Sequence, residues 1–441
     1  MDVLVPKMYM EYGKYVNSYR SFPLNIDGLK PVERRVLLSA YQIAREKLVK
    51  SVRVDGHCVG HFHPHGGCYG TISQLVRQGF LDGQGNFGTN LGIEALGPAA
   101  PRYTECKMSK ETVELAFKYI KYVPWVESEL DNEPEYLPTM FPFCLIGQEY
   151  TQGIGFGYKT FIPCYKVEDL RERLLYLLKI KKDRPIIKPI TNCKILSKND
   201  ELDTLLTTGK LSMRVQGVIE VNNTASKAIL KSWPPGRRFE SYLNKFSKEL
   251  ENGDIGYIDS SNERVGTKIE FDVLKQRNRV AIFSKFIAKL KEVVKGNISF
   301  ETIVVDRHNN VKATSIDELL LNTYNYYTSV NETMLQQEIN RYNELINEYN
   351  TLAKIRKPLA DALSWGRFDK EHMEEIITGV SEVSEVKPEI VKMLISKYKI
   401  QKLITLNIDT KEITDKVQEL QADFNNIQNY VLNQYGEVKN V

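Results

Sequence analysis

Two stretches in the last third of the chain constrain its fold most strongly. Leu335, Ile339, Tyr342, Ile346, Tyr349 and Ala353 follow at steps of 4, 3, 4, 3 and 4, and Ile413, Val417, Leu420, Phe424, Ile427 and Val431 repeat those steps. Such spacing lays an apolar seam along one side of a helix. A helix alone would leave its seam in water, so the two are expected to pack on each other as a long antiparallel coiled coil. Pro358 removes a backbone donor and is expected to end the first helix. A small helical tip from about 358 to 406 then lies between the arms. Arms with a globular tip suit contact between two copies of the chain; a hairpin folded back without a partner is the alternative.

Upstream the pattern changes. "LSMRVQGVIEVNN", "TKIEFDV" and "ISFETIVVD" read as strands, with "FSKFIAKLKEVV" as a helix and "KSWPPGRRFESY" as a rigid turn running into one. Before them, "GLKPVERRVLLSAYQIAREKLVK" opens with Pro31, where a helix tolerates proline. Val36, Leu37, Ala40, Ile43, Ala44 and Leu48 then recur at helical spacing. A second helix is expected through "YGTISQLVRQGF", and "LDGQGNFGTNLG" reads as a tight loop. Short helices joined by glycines in a basic context fit a helix-turn-helix or winged-helix module. The expected class is therefore α+β and multidomain. Three regions are expected: a winged-helix module over 1–150, a β-rich region over 151–312, and the coiled coil with its small helical tip over 313–441.

At 441 residues, 42% hydrophobic and 26% charged, the chain has ample apolar material for several cores. The start "MDVLVPKMYMEYGKY" lacks the apolar run of a secretory signal, and no apolar stretch is long enough to span a bilayer, so a cytoplasmic protein is expected. Cys58, Cys68, Cys106, Cys144, Cys164 and Cys193 form no close pair and read as reduced thiols. A net charge of +4 is small, but basic residues gather between Lys30 and Lys121 and are followed by the acidic "VESELDNEPEYLP". That distribution fits a DNA-facing surface on a near-neutral protein.

Two stretches carry chemistry. "GHCVGHFHPHGG" holds His57, His61, His63 and His65 beside Cys58. In an extended backbone His61, His63 and His65 would share a face, so a zinc site is one reading, although the cysteines lack zinc-finger spacing. "AAPRYTECKMS" places Arg102 directly before Tyr103. A phenol with a pKa of about 10 is a poor nucleophile until a cation stabilises its phenolate. A guanidinium does this and also neutralises a phosphate under attack. The metal and cleavage readings stand beside a third, a non-catalytic dimeric winged-helix DNA binder.

Taken in series, "RSFPLNIDGLKPVERRVL", "VDGHCVGHFHPHGG", "LDGQGNFGT", "AAPRYTE", "LPTMFPFCLI" and "GIGFGYKTFIP" resemble the A-type subunits of type IIA DNA topoisomerases. That family includes gyrase, topoisomerase IV and the phage topoisomerase medium subunits, and the last are the most similar in length. "YKIQKLITL" resembles the family's dimer-forming tip. The resemblance implies that Tyr103 attacks a DNA phosphate to give a 5′-phosphotyrosine, so that a second duplex passes through a double-strand break. It implies that Arg102, Arg20 and Arg34 hold the scissile phosphate and that His65 donates a hydrogen bond or proton to it. Lys30, Arg35, His63, His61 and Lys107 would contact DNA around the cut, and Ile154 would wedge between base pairs and kink the duplex.

The resemblance also implies what lies elsewhere. No carboxylate cluster here resembles the family's Mg²⁺ site, and "GQGNFG" lacks the lysine of an ATP-binding loop. Mg²⁺ and ATP are therefore expected on a separate B-type subunit, with none held by this chain. The other implied partners are double-stranded DNA and a second copy of the chain, joined through the tip and the winged-helix domain. The chain stops at the coiled coil, so relaxation, decatenation and unknotting are expected without supercoiling, in the cytoplasm of a bacterium or a phage-infected host. Three departures stand out from the gyrase pattern: Ile26 replaces an arginine, Glu33 replaces a histidine, and "GCYGTI" after "HPHG" lacks the serine and acidic pair of the quinolone pocket.

Overall fold

A computed structural model describes residues 4–128, 130–148, 150–236, 238–275, 277–363, 372–398, 403 and 409–437. The chain is a mixture of helices and antiparallel sheets and divides into two compact units, Met1–Tyr327 with Tyr435–Val441, and Thr328–Gln434.

In the first unit, a helix Leu4–Val16 runs into a π-helical turn, Asn17–Ser21. The next helix, Pro31–Ile43, starts with the Lys30 N–H donating to Glu33 Oε2 at 2.9 Å and buries Val36, Leu37 and Ala40 completely. Helical spacing alone carries it to Leu48. It stops at Ile43 because Val49 and Lys50 are drawn into a strand, leaving Leu48 39% exposed.

That strand, β1 (Val49–Lys50), joins β2 (Leu81–Gln84) and β3 (Glu105–Met108) in an antiparallel sheet ordered β1–β3–β2. Helices Ser51–His61 and Tyr69–Arg77 pack with Pro31–Ile43 beside it. "LDGQGNFGTNLG" is thus only partly a loop: its first four residues form β2, and the turn begins at Gly85 and Gly88, both at positive φ. A short ladder follows, β4 (Trp125–Val126) against β5 (Glu133–Pro134).

The hairpin β6 (Thr151–Ile154) and β7 (Lys159–Ile162) opens the middle region. Next come β8 (Lys194–Ile195), β9 (Lys210–Gln216), β10 (Ile219–Asn222), β11 (Lys227–Leu230), β12 (Ile255–Asp259), β13 (Ile269–Val273) and β14 (Lys295–Glu301); of these β9, β10, β13 and β14 are expected from the sequence, and β8, β11 and β12 are not. They form a five-stranded sheet ordered β6–β7–β14–β9–β8 and a four-stranded sheet ordered β10–β11–β13–β12. In β13 burial alternates residue by residue, and the helix Arg279–Val293 covers that face with Phe283, Phe286 and Leu290. The hairpin β15 (Ile303–Val305) and β16 (Val311–Ala313) leads to a helix of 48 residues, Ile316–Leu363.

Within the second unit Leu335, Ile339, Val417, Leu420 and Val431 are buried, and Gln434 Nε2 donates to Asn331 Oδ1 at 3.0 Å. Two expectations fail here. Ala353 is exposed, and the buried positions are Leu352, Ile355 and Leu359, which pack with Ile377, Val380, Val391 and Leu394. Pro358 does not end the helix, which continues to Leu363. The proline falls in the last two turns, where Ile355 and Leu359 bury fully on either side of it, and the carbonyl it leaves unbonded belongs to the exposed Lys354. Of the tip segment "YKIQKLITL", only Tyr398 and Leu403 fall within the described residues.

Candidate active site

Tyr103 lies on a turn clamped to the core. Its N–H donates to the Ala100 carbonyl at 2.9 Å, and β3 begins two residues later. Thr104 is fully buried: its Oγ1 donates to Ser51 Oγ at 2.9 Å and lies 3.0 Å from the Tyr69 hydroxyl, which donates to Ala99 O at 2.7 Å. The backbone is tied as well, with Ser51 N–H on Thr104 O and Val52 N–H on Pro101 O. Gly85, at φ +108°, packs so closely that a Cβ would stand 3.3 Å from the Tyr103 carbonyl oxygen. On this rigid base the Tyr103 side chain is 65% exposed, and Arg102 Cζ lies 4.5 Å from its ring centroid. An exposed phenol with a cation against it, on a backbone held by several hydrogen bonds, is what a nucleophile toward a phosphodiester needs.

The histidines separate by role. His57 and His61 sit one turn apart on the helix Ser51–His61, with rings stacked at 4.3 Å, and His61 Nδ1 is 2.6 Å from Asp131 Oδ2. His57 is held below the usual imidazole range, first by burial and then by His61. His63 and His65 lie in the turn after the helix, so the three histidines do not share an extended face as alternation predicted. His63 Nδ1 is 3.4 Å from Arg35 Nη1; burial, then Arg35, lowers its pKa. His65 meets His63 edge-on at 5.6 Å, and its Nε2 is 3.3 Å from the Tyr15 hydroxyl. Arg20, exposed on the π-helical turn, lies 6.0 Å from the Tyr15 ring and acts electrostatically on His63. Among the described residues no three His, Cys, Asp or Glu side chains gather as a metal site.

Arg34 and Arg35 are adjacent in sequence but face different surroundings. Arg35 is held by Glu133 through two bonds of 2.7 Å. Arg34 is buried, and its Nε and Nη2 donate to Asp27 at 2.7 and 3.1 Å. Arg34, expected near the scissile phosphate, has its charge answered by Asp27 in the core.

The described contacts therefore form two groups, Arg102 with Tyr103, and Arg20, Arg35, His63 and His65 with Tyr15. The family model for the A-type subunits of DNA gyrase and topoisomerase IV matches residues 20–437. The chain belongs to this family. The DNA gyrase A protein of Thermotoga maritima is 23% identical over 446 residues, covering 95% of this chain and 54% of its own length. That of Staphylococcus aureus strain Mu50 is 26% identical over 456 residues, covering 96% and 48%. That of Haemophilus influenzae is 30% identical over 294 residues, covering 60% and 32%. The chain spans about half the length of the curated relatives it matches.

Within this gyrase and topoisomerase IV family, the departures have structural roles. Ile26 is a core residue, 1% exposed, and Glu33 caps the helix that bears Arg34 and Arg35. Lys30 Nζ donates to Gln152 O at 2.6 Å, and Lys107 pairs with Asp82 at 3.3 Å. Ile154, 78% exposed, stands at the tip of the β6–β7 hairpin. Sequence reasoning missed Tyr15, Ser51, Tyr69, Thr104 and Glu133. Thr104 had a signal, as the neighbour of Tyr103 leading into an alternating strand; Glu133 had none beyond its acidic surroundings.

Proposed function

We propose that the chain is the DNA breakage-reunion component of a type IIA topoisomerase, with Tyr103 as its nucleophile. The Tyr103 oxygen attacks a backbone phosphorus as its proton leaves, the bond to the 3′ oxygen breaks, and a 5′-phosphotyrosine and a free 3′-hydroxyl result. One phosphodiester replaces another, so the reverse attack by the 3′-hydroxyl reseals the strand without external energy. Arg102 stabilises the phenolate and the phosphate. Arg20, Arg35, His63 and His65 form the second set of contacts to the phosphate, with Arg34 holding the helix beneath them. Lys30, His61 and Lys107 follow the backbone on either side, and Ile154 intercalates.

In this reading residues 1–150 are the winged-helix cleavage domain, 151–312 the tower, and 313–441 the coiled coil with its tip. Two copies join with a separate B-type subunit that holds Mg²⁺ and ATP, and the assembly relaxes, decatenates and unknots duplex DNA. The observation that carries the reading is the exposed Tyr103 under Arg102, fixed to the core through Thr104. The test is to incubate the chain with supercoiled plasmid, its B-type partner, ATP and Mg²⁺, and then add denaturant. Protein-linked linear DNA is expected; binding without any covalent product would favour the non-catalytic DNA binder.

A further inference from the structure

The acidic strip after the nucleophile is not a bland solvated face. Three alternate residues within it each meet a basic side chain: Asp131 lies against His61 at 2.6 Å, Glu133 takes Arg35 through two bonds of 2.7 Å, and Glu135 takes Arg307 at 2.5 and 2.8 Å. Period two is that of an extended segment, which sends alternate side chains to one side. Glu133 differs from the other two in what its partner does next. It sits in β5, where Pro134 restricts the backbone and Val126 is its partner across the ladder. Its carboxylate and the Arg35 guanidinium are both largely buried, 15% and 17% exposed, and their pairing is the planar two-bond kind that fixes orientation as well as distance. The remaining amino group of Arg35, Nη1, reaches His63 Nδ1.

We infer that Glu133 is a positioning residue: it fixes Arg35 against His63 and sets how much positive charge the pair presents to a DNA phosphate. The inference rests on the breakage-reunion reading for its consequence in cleavage, but its geometry does not. With Arg35 donating to Nδ1, the imidazole is left to present Nε2–H outward. The groups acting on His63 are Arg35 from the helix Pro31–Ile43, His65 from the same turn, Arg20 from the π-helical turn and Glu133 from β5. Arg35, His65 and Arg20 favour the neutral ring, and Glu133 alone opposes them. Removing the Glu133 charge would release the guanidinium and leave it uncompensated. The site would then attract phosphate more strongly and orient it less well.

That pairing of opposite effects is the test. In Glu133→Gln, affinity for a short blunt DNA duplex, read by fluorescence anisotropy, should rise roughly threefold at low salt, with a steeper salt dependence. Cleavage of plasmid with the B-type partner should fall about tenfold, because the phosphate is bound but misplaced. The His63 titration, followed by carbon-13 labelling of the histidine rings in the full-length chain, should move to lower pH. Glu133→Asp keeps the charge and shortens the reach, so it should restore affinity and the titration while cleavage recovers only in part. The inference is overturned if Glu133→Gln leaves affinity and the His63 titration unchanged, or if binding and cleavage fall together with the melting temperature. If Glu133→Gln does not fold, Glu133→Asp decides alone, and wild-type cleavage in that variant overturns the inference. A wild-type chain that never cleaves would sink the breakage-reunion reading instead, while the affinity and titration results would still judge Glu133.

Discussion

Asp27 grips Arg34 through two hydrogen bonds in the core of the first unit, and its carboxylate also accepts the N–H groups of Leu29 and Leu137 at 3.0 Å. One buried carboxylate thereby joins a loop, a helix and the segment entering "LPTMFPF". Taking away one member of such a pair leaves the other charged and uncompensated, which costs about 3–5 kcal/mol. Arg34→Ala is therefore expected to lower the melting temperature sharply. Arg35→Ala, whose partner Glu133 is less completely buried than Asp27, should cost less stability and weaken DNA binding. Thermal melts and duplex titrations on the two variants separate the roles of these adjacent arginines.

Thr104 should show a similar dependence on a single atom. Thr104→Val keeps the shape but removes the hydroxyl that bonds Ser51 and meets Tyr69. The loss in stability should be about 1–3 kcal/mol. Because the same hydroxyl pins the turn bearing Tyr103, cleavage should slow by more than duplex binding weakens. Thr104→Ser should restore most of both.

The parts visible in the sequence were those set by local period or by adjacency. The alternation in 269–273, the helix over 283–294 and the Arg102–Tyr103 pair all depend on residues a few positions apart. Arg34 and Arg35 could not be told apart in that way. Buried residues lie three and four positions beyond each of them, and only the fold of the 24–29 loop, with Gly28 at φ +69°, decides which one meets Asp27. Glu133 and Arg35 are 98 positions apart, so no local pattern could pair them. The heptad steps failed at Ala353 for a related reason. A straight helix drifts from a strict seven-residue repeat, and the helices at 372–384 and 388–398 demand a wider buried face at Leu352, Ile355 and Leu359.

The histidines predict a direction with pH. His57 and His63 both have pKa values lowered by folding, chiefly through burial. The unfolded chain therefore binds more protons near its ordinary imidazole pKa of about 6.5, so stability rises with pH there and is lost as pH falls through that value. Melting temperatures at pH 7.5 and 5.5 should differ more in the wild type than in a His57→Asn, His63→Asn double variant. An equal drop in both proteins would count against this assignment.

Ile154 stands on the hairpin tip with most of its surface in water, so truncating it should change stability by no more than about 0.5 kcal/mol. A wedge between base pairs acts only when DNA is bound. Ile154→Ala should therefore reduce duplex bending, read by energy transfer between labelled duplex ends, and lower cleavage with it. Unchanged bending would remove the wedge role.

The most direct measurement is on Tyr103 itself. Tyr103→Phe removes one exposed oxygen and keeps the ring beneath Arg102, so folding and duplex affinity should match the wild type. After denaturant trapping with the B-type partner, ATP and Mg²⁺, the wild type should carry DNA linked to the peptide containing Tyr103, and the variant should carry none. Covalent DNA on Tyr103→Phe, or on any other residue of the wild-type chain, would contradict the assignment.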